Sequence, residues 1–155
     1  VSATNKHKKT DRPARWVRAT LLIVTAGLVA VFVTAARLHP YDADGKPLTM
    51  ASHTQLGMPA CEFYVIFHKP CPSCGLTTSF SLLMHGDVLA SLRANAIGTV
   101  MALFWLGLIP WCLYATLKGR YLWIRALEPA LLWAVGIFTV LLLIRWGIVL
   151  WWGLW

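Results

Sequence analysis

Residues Ala19 to Ala36, ATLLIVTAGLVAVFVTAA, run for eighteen positions without a charge. At 1.5 Å per residue a helix of that length covers about 27 Å, close to the hydrocarbon thickness of a bilayer. A secretory leader has a shorter apolar stretch of about 7–15 residues, so this segment reads as an uncleaved membrane anchor. Two more stretches repeat the pattern. Residues 97–117 end at Lys118-Gly119-Arg120, and residues 129–146 start at Pro129, a residue suited to a first helical turn. Pro110 predicts a kink in the second span, because proline removes a backbone donor and clashes one turn back. The expected fold is an all-α integral membrane protein with three transmembrane helices, at about 19–36, 97–117 and 129–146.

Composition points the same way. Of the 155 residues, 58% are hydrophobic and 13% charged. Soluble domains carry about 25% charged residues, so a water-soluble enzyme is excluded, and nine tryptophans exclude a disordered chain. The length allows one membrane domain over 1–155 with no sizeable soluble module beside it.

The net charge of +8 is unevenly placed. Six of the 14 basic residues (Lys6, Lys8, Lys9, Arg12, Arg15 and Arg18) precede or open the first span. Lys118, Arg120 and Arg125 sit between the second and third spans, whereas residues 37–96 hold four basic and four acidic residues. A basic run abutting a span sets topology and contacts anionic lipid, so nucleic acid is not an expected partner. The positive-inside rule makes 1–18 a cytoplasmic tail, 37–96 an extracytoplasmic loop and the C-terminus extracytoplasmic, in a multi-pass protein of the inner (plasma) membrane. Arg145, near the end of the third span and before WGIVLWWGLW, is expected to snorkel outward beside a tryptophan belt.

The chemistry concentrates in the loop. Lys69-Pro70-Cys71-Pro72-Ser73-Cys74-Gly75 is the sharpest local signal, with Cys61 ten residues before it. Two cysteines separated by two residues aim their sulfurs at one centre, and a following glycine permits positive φ. Residues 76–85 then place Leu76, Phe80 and Leu83 on one face and Thr77, Ser81 and His85 on another. That makes a short amphipathic helix, interfacial or re-entrant and too short to span. Gly86 ends it, and Asp87 and Asn95 are expected as turn or capping residues beside Gly75.

The run Cys61-x-Phe63-Tyr64, Cys71-Pro72-Ser73-Cys74-Gly75-Leu76-Thr77 and His85-Gly86-Asp87 with Asn95 resembles a family of small bacterial membrane proteins known as domain of unknown function 2752. The resemblance covers roughly residues 55–117. It implies a few helices around a cysteine-bearing segment and no assigned activity. Family members commonly carry a threonine–arginine pair where this chain has Thr77-Thr78.

Three readings of the thiols stand side by side. Cys61, Cys71 and Cys74, with His68 as a fourth ligand three residues before Cys71, suit a metal ion, zinc first and copper(I) as a soft alternative. A structural thiol site, with a disulfide from Cys61 to Cys71 or Cys74, would staple the loop by about 2–3 kcal/mol. A membrane thiol–disulfide oxidoreductase would cycle Cys71 and Cys74, though a second cysteine pair to relay electrons is lacking. Cys112 lies about 24 Å down the second span and is expected as a packed hydrophobe. Partners follow from the same features. The lipid bilayer is one, and the tryptophan-rich spans suit packing against a larger membrane complex, as an accessory subunit, or a homo-oligomer.

Overall fold

The structure, a computed structural model, describes residues 15–118 and 127–153. The cations Lys6, Lys8, Lys9, Arg12, Arg120 and Arg125 lie outside the described residues. Among the described residues five α-helices follow in order: α1 (Arg15–Arg37), α2 (Glu62–Phe67), α3 (Leu76–Met84), α4 (Val88–Lys118) and α5 (Leu127–Trp152). A 3-10 turn spans Ser52–Leu56, and among the described residues there is no strand beyond an isolated Tyr41–Pro47 bridge. Helices α1, α4 and α5 are each long and apolar enough to cross a membrane. The chain is therefore an all-helical, multi-pass membrane protein.

Side-chain packing fixes the directions. Leu21 near the start of α1 packs with Cys112 and Ala115 late in α4. Phe32 and Ala35 late in α1 pack with Met101 and Ala102 nearer the start of α4. The two helices are antiparallel. Helix α5 runs antiparallel to α4 as well, with Phe138 against Phe104 and Arg145 reaching Ala94. The end of α1, the long loop, the start of α4 and the end of α5 thus share one end of the bundle. Arg15, Arg18 and Lys118 lie at the other.

Helix α3 sits at the centre of this arrangement rather than on its surface. Five consecutive residues, Thr78 to Leu82, are buried. Phe80 stacks on Phe32 at 5.7 Å and meets Trp105 edge-on at 5.6 Å. Thr78, Ser79 and Ser81 are buried with their hydroxyls bonded. Ser81 Oγ donates to Leu38 O at 3.2 Å, and Thr78 Oγ1 accepts the Ser52 amide at 3.3 Å. Ser91 of α4 donates to Ser79 O at 2.7 Å and pairs with Thr99 Oγ1 at 2.7 Å. Buried polar groups are tolerated when bonded in this way. Gly98 makes the helix contact close, since a Cβ there would come within 2.5 Å of Ser79 Oγ.

The long helix α4 leaves helical geometry at Asn95 (φ −159°, ψ 100°), whereas Pro110, where the sequence predicts the kink, stays inside it. Asn95 caps the helix that resumes, its Oδ1 accepting the Gly98 amide at 3.0 Å. Gly75, at the head of α3, touches the chain at this break. The cysteine turn therefore stands level with Asn95, some seven residues and about 10 Å from the start of α4.

Candidate functional site

Three loop cysteines converge. Cys61 precedes α2, and Cys71 and Cys74 belong to the turn that leads into α3. Their Sγ atoms all lie within 4.8 Å of one another, the metal-suited group of His, Cys, Asp and Glu side chains found among the described residues. His68 is not in that group. It ends α2 in a left-handed conformation (φ 51°), its amide bonded to Tyr64 O. Cys112 is buried far down α4 with Leu21 and Ala115.

Local hydrogen bonds shape the turn. The Cys74 amide donates to Cys71 O at 3.1 Å and the Leu76 amide to Ser73 O at 3.0 Å. The Cys71 amide points at Cys74 Sγ at 3.2 Å, and the two sulfurs are 3.0 Å apart. Gly75 adopts φ +82°, and a Cβ there would stand 2.6 Å from Ala94 O and 2.8 Å from Thr49 O. Only glycine fits both the dihedral and the space. Asp87 Oδ1 accepts the Ala90 amide at 3.0 Å at the start of α4.

Irregular backbone at helix depth must have its polar groups satisfied by protein, and here side chains from α4 and α5 do so. Asn95 Nδ2 donates to Cys74 O at 3.2 Å. Trp146 Nε1 donates to Pro70 O at 2.8 Å. Arg145 donates to Ala94 O at 3.0 Å, a carbonyl freed by the break in α4. The Trp146 ring also meets Phe63 of α2 edge-on at 5.9 Å, two residues beyond Cys61. Arg145 consequently turns into the bundle instead of snorkelling outward, because the carbonyl of Ala94 offers it a bond at its own depth. Arg145 and Trp146 are the site residues that spacing along the sequence does not reveal.

The two close thiols are unequal. Burial raises the Cys71 thiol, but hydrogen bonds from Ser73, Cys74 and Cys61 outweigh it and leave the group below its ordinary value. Burial and then the hydrogen bond to Cys71 push Cys74 up to about 12. Of the two, Cys71 is the thiol that ionises first as pH rises.

A metal fits this donor set with a small adjustment. Zinc–sulfur bonds of about 2.3 Å at the tetrahedral angle put sulfurs about 3.8 Å apart. Cys71 and Cys74, at 3.0 Å, would separate by a few tenths of an ångström to nearly one. Three thiolates leave one tetrahedral position for a further ligand.

Residues 61–109 match the family model for a protein of unknown function, DUF2752. The segment carries all three clustered thiols, Gly75, Asp87 and Asn95, and it ends just before Pro110. Arg145 and Trp146, which bind the DUF2752 segment from α5, lie beyond it. No curated protein and no solved structure matches the chain.

Proposed function

We propose that this membrane protein holds one metal ion on Cys61, Cys71 and Cys74, zinc in the first instance and copper(I) as the soft alternative. The observation that carries the reading is the convergence of three sulfurs within 4.8 Å from segments ten residues apart. Thiolate sets of this kind suit zinc and copper(I), and a fourth position stays available to an outside ligand. The positive-inside rule, with Arg15, Arg18 and Lys118 at the opposite end from the thiols, supports an extracytoplasmic site in the inner (plasma) membrane. Residues 37–96 form the extracytoplasmic part of a single membrane domain in this reading, and Gly75, Asp87 and Asn95 hold its shape.

A second reading, thiol–disulfide exchange, draws on the 3.0 Å sulfur separation and the unequal pair. There the Cys71 thiolate attacks a substrate disulfide and expels one substrate thiolate. Cys74, giving up its proton, then attacks the mixed disulfide, releasing the second thiolate and leaving Cys71–Cys74 oxidised.

Elemental analysis of the protein purified in mild detergent separates the two. The metal reading expects about one zinc or copper per chain, and less of it retained when Cys61, Cys71 or Cys74 is changed to serine. Metal-free protein with a reducible Cys71–Cys74 disulfide would favour exchange. The same preparation tests an accessory-subunit role, which expects larger membrane subunits to co-purify at a fixed ratio; its support is α5, exposed along its span.

A further inference from the structure

We infer that Arg145 is the counter-charge of the metal-loaded cysteine centre, a positioning residue that α5 supplies from outside the DUF2752 segment. The inference rests on the metal reading above. A small recess of about 90 Å³ lies beside the thiols, lined by Pro70, Cys74, Arg93, Ala94, Arg145 and Val149. Arg145 shares this recess with Cys74. Its guanidinium has five N–H donors, and its bond in the structure is the one to Ala94 O. Among the described residues no carboxylate pairs with Arg145 or Arg93. A cation on a membrane-spanning helix is costly and calls for a partner of opposite sign.

The centre supplies that partner when it is loaded. Three neutral thiols that bind a divalent ion form three metal–sulfur bonds and release three protons to solvent. The site passes from zero charge to −1, which Arg145 then offsets. Copper(I) on three thiolates carries −2, and Arg93, exposed on the rim of the same recess, offsets the second charge. Placement is rigid because the neighbouring Trp146 holds Pro70 O, and Arg145 holds the carbonyl beside which Gly75 passes. Arg145 thus joins the break in α4 to the turn that presents Cys74.

Competition titrations of the intact protein in detergent against a chromophoric chelator, at fixed pH and with zinc as the probe, test this. Arg145→Gln keeps an amide donor for Ala94 O and removes the charge; Arg145→Lys keeps the charge. The expected result is a 10–100-fold weaker zinc affinity for Arg145→Gln, with Arg145→Lys within about fivefold of wild type. Cobalt(II) substitution should give an unchanged thiolate charge-transfer band in Arg145→Gln, showing that all three sulfurs still bind. Wild-type affinity in folded Arg145→Gln overturns the inference and leaves the metal reading standing. A wild-type protein that binds no zinc overturns both. Should the Arg145 variants not accumulate, Arg93→Gln titrated with copper(I) decides, since Arg93 offsets the second charge of that centre, is exposed and makes no bond among the described residues. A loss of about two- to tenfold supports the counter-charge role, and an unchanged affinity overturns it.

Discussion

Helices α3 and α5 solve the problem of burial in opposite ways. Helix α3 is nine residues long, carries two threonines and two serines, and is enclosed by its neighbours. Helix α5 is 26 residues long and largely apolar, yet none of its spanning window is buried inside the protein. In water the order would be reversed. In a bilayer, lipid covers apolar side chains as well as protein does, so what must be enclosed is the polar backbone and the hydroxyls. The protein's interior is therefore built around its polar segments, and the cysteine turn is one of them.

The steepest test of this contrast is Gly75→Ala. A Cβ set against two backbone oxygens at φ +82° should cost about 3–5 kcal/mol. Thermal unfolding in detergent and the amount of folded protein in membranes would register it; a variant as stable as wild type would mean that the turn does not abut Ala94. Helix α5 gives the next largest effect. Val140 faces outward at 53% exposure, and Val140→Lys should cost about 3 kcal/mol of membrane insertion. Normal insertion of that variant in a glycosylation-mapping assay would place this face in water or against protein.

A matched pair sharpens the comparison at smaller scale. Ser91→Ala removes the bonds to Ser79 O and to Thr99 Oγ1 and should cost about 1–2 kcal/mol. Leu132→Ala, on the 74% exposed side of α5, removes more apolar atoms and should cost about 0.5 kcal/mol or less. Unfolding in graded denaturant measures both, and the reverse ranking would break the account of α3 as the enclosed element.

The thiols give a test in pH. Alkylation needs the thiolate, so its rate rises as pH climbs through each group's pKa. In metal-free, reduced protein, Cys71 should be labelled by iodoacetamide first, at a pH below that of an ordinary thiol. Cys74, held up to about 12, should stay unlabelled across neutral pH until Cys71 is capped. Peptide mapping after timed labelling reads the order, and equal rates would remove the distinction between the two sulfurs.

Much of the fold is legible in the chain because its strongest signals are local. Uninterrupted apolar runs mark the three spans, although α4 begins nine residues before the expected 97 and α5 runs six past 146. The grouping of Cys61, Cys71 and Cys74 is legible for the same reason, since a short loop confines the three. What escaped depends on partners distant in sequence. The hydroxyls of Ser81 and Thr78 meet Leu38 and Ser52, 43 and 26 residues away, and the Ser79 carbonyl meets Ser91, 12 away, so periodicity alone does not show that these groups are bonded. Arg145 finds Ala94 O across 51 residues, and that carbonyl is free only because Asn95 interrupts α4. Pro110 draws attention as a breaker, but Asn95 breaks the helix because its amide satisfies both sides of the gap, Gly98 on one and Cys74 on the other.

X-ray absorption at the zinc edge of the detergent-purified protein would meet the central claim head-on. Three sulfur neighbours at about 2.3 Å with one lighter fourth ligand are predicted, collapsing to two sulfurs when Cys61 is replaced by serine. Bound zinc with no sulfur in its shell, or a spectrum unchanged by that replacement, would contradict it.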